Sequence, residues 1–449
     1  MSKSAAQPRS NIIKVVAASM AGTTVEWYDF FLYGVAAALV FPKVFFPVGD
    51  TAVGVLLALG TFAIGFIARP FGGLVFGHFG DKIGRKKLLV LSLLMMGAAT
   101  FAIGLLPGYA TIGVAAPLLL VLLRLIQGFA LGGEWGGAVL IVSEHGDPAR
   151  RGYWASWPQA GVPVGQLFAN GLLALLAVFQ SPDAFLAWGW RIPFLLSAVL
   201  VGIGLYIRLA VEESPVFKAA QAEAQRRAAA GEKETMPIIE VFRRYPREVV
   251  TAMGARFAEN VSYYIFTIVI VTYLTKGPGH SLPNSYVLNA VLIGAAVHLV
   301  TIPMWGALSD RFGRKPLYLL GATGVGVWAF AFIFLIDTES FPLTVLAVVV
   351  GLLFHGAMYG PQAAFLSELF GTKVRYSGVS VGYQLASIVA GGLAPIIAVA
   401  LYTQFNGGYA VAVYVALSAV VTILAVATYG ETSRRDLTAD DALPALDNH

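Results

Sequence analysis

Glu26 and Asp29 stand three residues apart in GTTVEWYDFFLYG (residues 22–34), with Trp27 and Tyr28 beside them and Tyr33 a turn further on. That spacing puts both acids on one face of a helix. Arg124 and Glu134 share the stretch RLIQGFALGGEWGG, and Arg256 and Glu259 are again three apart in GARFAENVSYYIF, followed by Asn260 and Tyr263. Every one of these charges falls inside an apolar run. At the centre of a bilayer a charged side chain costs about 2.5–3.5 kcal/mol on insertion scales, so it faces a partner or a polar path.

The chemistry open to such groups is proton binding and ion pairing. An arginine–carboxylate pair weakens when the acid is protonated, which frees either group for another partner. Glu26, Asp29, Arg124 and Glu134 are therefore the candidates for proton coupling, with a direct pair between Arg124 and Asp29 or Glu26 as the expected contact. A permanent structural bridge is the alternative. Arg256 can satisfy Glu259 or anchor a solute carboxylate. Tyr28, Tyr33, Trp157, Gln159, Gln166, Asn260, Tyr263, Tyr383 and Gln384 suit hydroxyl or amide recognition around it, although each also suits a helix–helix hydrogen bond. His298 and His355 are expected as neutral, hydrogen-bonded imidazoles; no spacing makes them metal ligands, and nothing calls for a cofactor.

Helices must position these residues. The chain has 449 residues, 57% hydrophobic and 12% charged, with a mean hydropathy of +0.74. Soluble domains carry about a quarter charged residues, so most of this surface is not meant for water. Twelve runs reach the roughly 20 residues that span a bilayer, at about 15–41, 53–76, 88–107, 113–143, 153–179, 190–211, 249–275, 286–308, 317–336, 341–369, 379–403 and 409–430. Polar segments at 1–14, 212–248 and 431–449 read as an N-terminus, a linker between two groups of six spans (15–211 and 249–430) and a tail. The expectation is an all-α membrane protein of 12 transmembrane helices in two pseudo-symmetric six-helix bundles. Arg69 is expected near the end of the second span, supporting the basic turn that follows it.

Basic residues set the orientation. If the N-terminus is cytoplasmic, 23 of the 30 Lys and Arg lie in inside segments and only Lys43, Arg191 and Lys276 in outside loops. The positive-inside rule then puts both termini in the cytoplasm. The same bias explains the net charge of +5 without a nucleic-acid partner. Cysteine is absent, which excludes disulfides and thiol chemistry.

The two halves repeat one another. GHFGDKIGRKK (77–87) and GALSDRFGRKP (306–316) share Gly, Asp and Gly-Arg-Lys at matching places, each between two apolar runs. Glu144 precedes Arg151 as Glu368 precedes Arg375. An aspartate at the membrane edge suits capping of a neighbouring helix or pairing with Arg151 or Arg375. Asp81, Arg85, Glu144, Arg151, Asp310, Arg314, Glu368 and Arg375 are therefore candidates for a latch that breaks and re-forms; a topology signal alone is the simpler alternative. Pro158, Pro163, Pro303, Pro361 and Pro395 fall within spans, where they bend helices for gating or for packing.

GHFGDKIGRKK resembles the signature loop of the major facilitator superfamily, and RLIQGFALGGEWGG its fourth-span motif. With GTTVEWYDFFLYG, ARPFGGLVFGHFGD (68–81) and WGWRIPF (188–194), the chain resembles the metabolite–proton symporters of that superfamily over nearly its whole length. The resemblance implies the major facilitator fold, a bacterial inner (plasma) membrane, and proton-driven uptake of an organic acid or zwitterion such as shikimate, 2-oxoglutarate, citrate, proline or betaine. It also implies a role for Arg124 in proton coupling. The residues after Glu431 show no heptads, so the osmosensing role of some members is not expected here.

No GxxxxGK[ST] loop supplies ATP energy, and EHGD at 144–147 is not a metalloprotease helix, so an enzyme is not expected. A solute sensor would need a soluble output domain. The expected function is proton-coupled symport by alternating access, in a chain able to work as a monomer within the lipid bilayer; proton-coupled efflux of a small organic compound is the alternative.

Overall fold

The computed structural model describes residues 9–47, 49, 51–83, 85–132, 134–210, 237–371, 374–433 and 435; within these, the side chains at 9–11, 51, 77–83, 85, 86, 89, 134, 141, 144, 145, 177, 208–210, 237 and 238 lie outside the description. Twelve helical spans run through it: α1 (Arg9–Leu39), α2 (Thr51–Ile83), α3 (Arg85–Leu105), α4 (Ala115–Leu131, continued by Glu134–His145), α5 (Arg151–Phe179) and α6 (Arg191–Ala210). After a short helix Pro237–Arg244 come α7 (Pro246–Lys276), α8 (Asn284–Phe312), α9 (Arg314–Ile336), α10 (Phe341–Leu369), α11 (Arg375–Gln404) and α12 (Tyr409–Ala427). Among the described residues no strand occurs. This is what lipid demands, since a helix satisfies its backbone hydrogen bonds within itself.

By length and composition alone, nine described helices can cross a membrane, or ten when Pro182–Gly189 and Arg191–Ile207, bent by 45°, count as one span. The other two are α1, whose apolar character is diluted around Glu26–Asp29, and α3, whose apolar part is Val90–Leu105. Lipid-facing leucines such as Leu118, Leu122 and Leu417 stay exposed, whereas α7 is the most enclosed of the spans and nearly all of it is buried in protein.

Two seams join the halves. On one, α5 packs against α8; on the other, α2 packs against α11. The α5–α8 approach is backbone to backbone: a Cβ built on Gly306 would stand 2.6 Å from the Gly152 carbonyl oxygen and 2.5 Å from Ser156 Oγ. Gly306→Val is expected to cost this arrangement about 1–3 kcal/mol through overpacking. A lowered Tm in detergent would show it, and an unchanged Tm would contradict it.

α7 and α11 are each interrupted by a π-turn, Ile265–Val269 and Ile388–Gly392, and Pro395 opens the helix that resumes after the second. There Pro395 lacks only an amide that a helix start leaves unpaired. Pro158, Pro163, Pro303 and Pro361 lie inside helices, as does Pro70.

Candidate functional site

Asp29 is buried on α1. Its Oδ2 accepts a hydrogen bond from Thr100 Oγ1 of α3 at 2.9 Å. Thr100 Oγ1 in turn accepts from Gln127 Nε2 of α4 at 2.6 Å, and Gln127 Oε1 accepts from Arg124 Nη1 at 3.1 Å. The direct Arg124–carboxylate pair expected from sequence is replaced, for Asp29, by this neutral relay. Thr100 and Gln127 stand between the charges, and the guanidinium lies over the Tyr33 ring at 4.1 Å. Tyr33 is held there by a 2.6 Å bond between its hydroxyl and Thr61 Oγ1. A cation over an aromatic face keeps its charge in an apolar setting.

Glu26 is also buried, within electrostatic range of Arg69 and Tyr383. Arg69 is buried, stacked on Phe66 at 4.3 Å and Phe30 at 5.1 Å, and lies within electrostatic range of Glu26 and Arg256; the side chains of the basic turn that it was expected to support lie mostly outside the described residues. The side chain of Glu134 lies outside the described residues.

The second half repeats the arrangement at a constant offset: Glu26, Asp29 and Tyr33 correspond to Arg256, Glu259 and Tyr263, each 230 residues on. Arg256 Nη1 donates to Glu259 Oε2 at 2.5 Å and to Gln362 Oε1 at 3.1 Å, and its guanidinium lies over Tyr383 at 3.5 Å. Gln362 Nε2 donates to Glu259 Oε2 at 3.2 Å and to the Tyr318 hydroxyl at 2.8 Å. Glu259 Oε1 lies 3.2 Å from His355 Nε2, and His355 Nδ1 lies 3.0 Å from His298 Nε2.

Side chains also bridge the halves at mid-depth. Tyr263 donates to Gln166 Oε1 of α5 at 3.1 Å, Gln159 Nε2 to the Tyr359 carbonyl, and Gln384 Nε2 to the Gly132 carbonyl at 3.1 Å. Tyr383 stacks on Trp135 with ring centres 3.7 Å apart. Asn260 donates to Ser387 of α11 at 3.3 Å. Among the described residues, Gln159 Oε1, Gln166 Nε2, both amide atoms of Asn170, the hydroxyls of Tyr264 and Tyr359, and Gln384 Oε1 are buried without a hydrogen-bond partner. Leaving such a group unpaired costs about 1–3 kcal/mol. Two candidates sit elsewhere: Tyr28 turns its hydroxyl to the Pro193 carbonyl of α6 at 2.7 Å, and half-buried Trp157 packs edge-on against Tyr153.

The end that carries the basic turns is clasped across the halves. Asp310 accepts from the Gly152 and Tyr153 amides at 2.7 and 2.9 Å, capping the start of α5, and pairs with Arg314 at 2.7 Å. Glu368 pairs with Arg151 at 3.0 Å and Arg314 at 3.2 Å and accepts from Thr432 at 2.7 Å. Arg375 donates to the Phe370 carbonyl at 3.2 Å. Asp81, Arg85 and Glu144 have side chains outside the described residues. At the opposite end Lys276 of α7 donates to the Ala38 carbonyl of α1 at 2.7 Å.

Gly313 takes φ of +99°, which favours glycine, and turns the chain into α9. There Glu431 accepts from the Arg314 and Lys315 amides at 2.9 and 3.0 Å. Burial pushes the Glu431 carboxyl up, but these amides and that of Ser433 outweigh it and hold it below its ordinary value. Its stabilising effect is therefore complete above about pH 4.3, the unfolded value, and lost as pH falls through the folded value. Glu431→Gln is expected to lower Tm at neutral pH and to match the parent in strong acid. A pH-independent difference would contradict this.

Sequence reasoning passed over Thr100, Gln127, Gln362, Tyr318 and Trp135. Gln127 alone carried a signal, lying three residues from Arg124 on the same helix face.

The described residues are helical in every span and carry buried charges in both halves, which fits a transporter of the major facilitator superfamily, and the chain's relatives show that class. The chain belongs to the sugar (and other) transporter family, whose profile matches residues 14–442. It is 43% identical to the inner membrane metabolite transport protein YhjE of Escherichia coli K12, covering 94% of this chain and 95% of that protein. It is 42% identical to the shikimate transporter of the same strain (90% and 92% covered) and 36% identical to its proline/betaine transporter (94% and 84%). In fold it is similar to the proton:xylose symporter XylE bound to 6-bromo-6-deoxy-D-glucose (TM-score 0.73, 18% identity, 95% and 98% covered) and to a partially occluded inward-open form of E. coli XylE (TM-score 0.72, 18% identity, 95% and 100% covered). The chain is a multi-pass membrane transporter of small molecules, not an enzyme, and its bacterial relatives imply the inner membrane.

Proposed function

We propose that this transporter couples inward proton flow to uptake of a small organic acid or zwitterion by alternating access. The observation that carries the proposal is the Asp29–Thr100–Gln127–Arg124 relay. Asp29 in its charged form is tied through neutral groups to a buried cation, so protonation removes one end of the network and lets Arg124 change partners. Arg256 and Arg69 supply the positive charge that an anionic solute needs, and the unpaired amides and hydroxyls between the halves supply its hydroxyl recognition. The solutes carried by the shikimate and proline/betaine relatives fit that chemistry.

The basic end is the cytoplasmic end in this reading, with both termini there, and the Arg151–Glu368–Arg314–Asp310 cluster closes it. Six helices on each side enclose the path, so one chain suffices. The test is uptake of labelled shikimate, proline and betaine into proteoliposomes of the purified protein under an imposed pH gradient. Accumulation driven by external acid is expected. Stimulation by the reverse gradient would assign antiport instead.

A further inference from the structure

We propose that His298, His355 and Glu259 form a second proton path, in the C-terminal half, whose arrival point is Nδ1 of His298 and whose end point is the Arg256–Glu259 pair. His298 on α8 and His355 on α10 are both buried, with ring nitrogens 3.0 Å apart, and the far nitrogen of His355 lies 3.2 Å from Glu259 on α7. The three groups stand in a line rather than converging on one point, which is the geometry of proton hand-over and not of metal ligation.

Hydrogen-bond logic fixes the direction. A carboxylate only accepts, so His355 Nε2 carries a hydrogen and its Nδ1 is bare. His298 Nε2 must then donate to His355 Nδ1, leaving Nδ1 of His298 as the basic nitrogen at the end of the chain. Among the described residues that atom is buried with no hydrogen-bond partner.

A proton bound there passes the Nε2 hydrogen of His298 to Nδ1 of His355. The Nε2 hydrogen of His355 then moves to Oε1 of Glu259. The net result is one added proton, both imidazoles neutral, and a neutral Glu259. Arg256 loses its ionic partner while keeping Gln362 and the Tyr383 face. The freed guanidinium is the group that would receive a solute carboxylate, a step that rests on the uptake reading given above.

The charged and titratable groups around the line are Arg256, Tyr263 and Tyr264 on α7, Tyr359 on α10, Tyr318 on α9, Tyr383 on α11 and, beyond Arg256, Arg69 on α2. Histidine is the side chain of this set whose ordinary titration falls between about pH 5 and 8. Tyr263 packs over both imidazoles, with ring centres 4.7 Å from His355 and 5.8 Å from His298, and its hydroxyl bonds Gln166 of α5, so the line also touches the other half.

The deciding experiment is nitrogen NMR of the full-length protein in lipid bilayers, labelled with ¹⁵N-histidine and titrated between about pH 5 and 8. His298→Gln and His355→Gln assign the signals by removing them. The expected result is a bare Nδ1 on both imidazoles at the alkaline end and a His355 titration displaced by His298→Gln. Opposite tautomers, or a His355 signal indifferent to His298→Gln, would overturn the proton path. The chain holds six histidines, so the assignment needs a folded variant at each site, and His298→Asn and His355→Asn serve where a glutamine variant folds poorly.

Shikimate uptake adds an independent arm. One pH unit supports accumulation of up to about tenfold per coupled proton, and His298→Gln is expected to reduce that accumulation to none. Undiminished accumulation in His298→Gln would overturn the path and leave the uptake reading standing. Wild-type uptake indifferent to the gradient would overturn the uptake reading, and the tautomers would still decide the path.

Discussion

Asp29→Asn and Arg124→Ala are each expected to abolish pH-driven accumulation of solute in proteoliposomes, from about tenfold per pH unit per proton to none. The amide at position 29 fixes the neutral form, so the Thr100 hydroxyl no longer meets a charge and the relay cannot cycle. Removing the Arg124 guanidinium leaves Gln127 and the Tyr33 face without their cation. Both groups are fully enclosed, where no bulk water replaces what is lost. Unimpaired accumulation by either variant would remove that residue from coupling.

Glu368→Gln is expected to unlock the basic end. This one carboxylate serves Arg151 from the first half and Arg314 and Thr432 from the second, and it is completely buried. Breaking a buried ion pair by removing one partner costs about 3–5 kcal/mol, because the other charge is left unpaired. A change of about 3 kcal/mol moves a two-state population more than a hundredfold. The chain has no native cysteine, so Ser156→Cys, on the closed α5–α8 seam, gives a single labelling site. Maleimide labelling of that site should accelerate strongly in the Glu368→Gln background. An unchanged rate would reduce the cluster to a topology signal.

Much of this arrangement is legible in the residue pattern itself. Apolar run length alone delivers the helices, because lipid admits few alternatives. The cost of buried charge singles out Glu26, Asp29, Arg124, Glu134, Arg256 and Glu259; Asp29, Arg124, Arg256 and Glu259 are buried in polar networks, Glu26 is buried in range of Arg69, and the side chain of Glu134 lies outside the described residues. Duplication, however, does not name partners. Asp310 caps the start of α5, one of its two expected roles, but its ionic partner is Arg314 rather than Arg151 or Arg375, and Arg151 pairs with Glu368 of the other half. Sequence order carries no information on which halves face each other.

The neutral relays were invisible for a different reason. Thr100, Gln127 and Gln362 are residues that any helix surface accommodates, and only the charges they connect give them a role. Tyr28 shows the converse: beside Asp29 in sequence, it points its hydroxyl to α6, since neighbouring residues on a helix look about 100° apart. His298 and His355 were expected as neutral, hydrogen-bonded groups, and the structure adds the partner that matters, which is each other.

Lumen pH, followed with a trapped dye as shikimate, proline or betaine is added to proteoliposomes without any imposed gradient, tests proton and solute movement together. Solute entry that acidifies the lumen, and that Asp29→Asn eliminates, is the predicted result. Solute entry with no change in lumen pH, or with alkalinisation, would contradict the account.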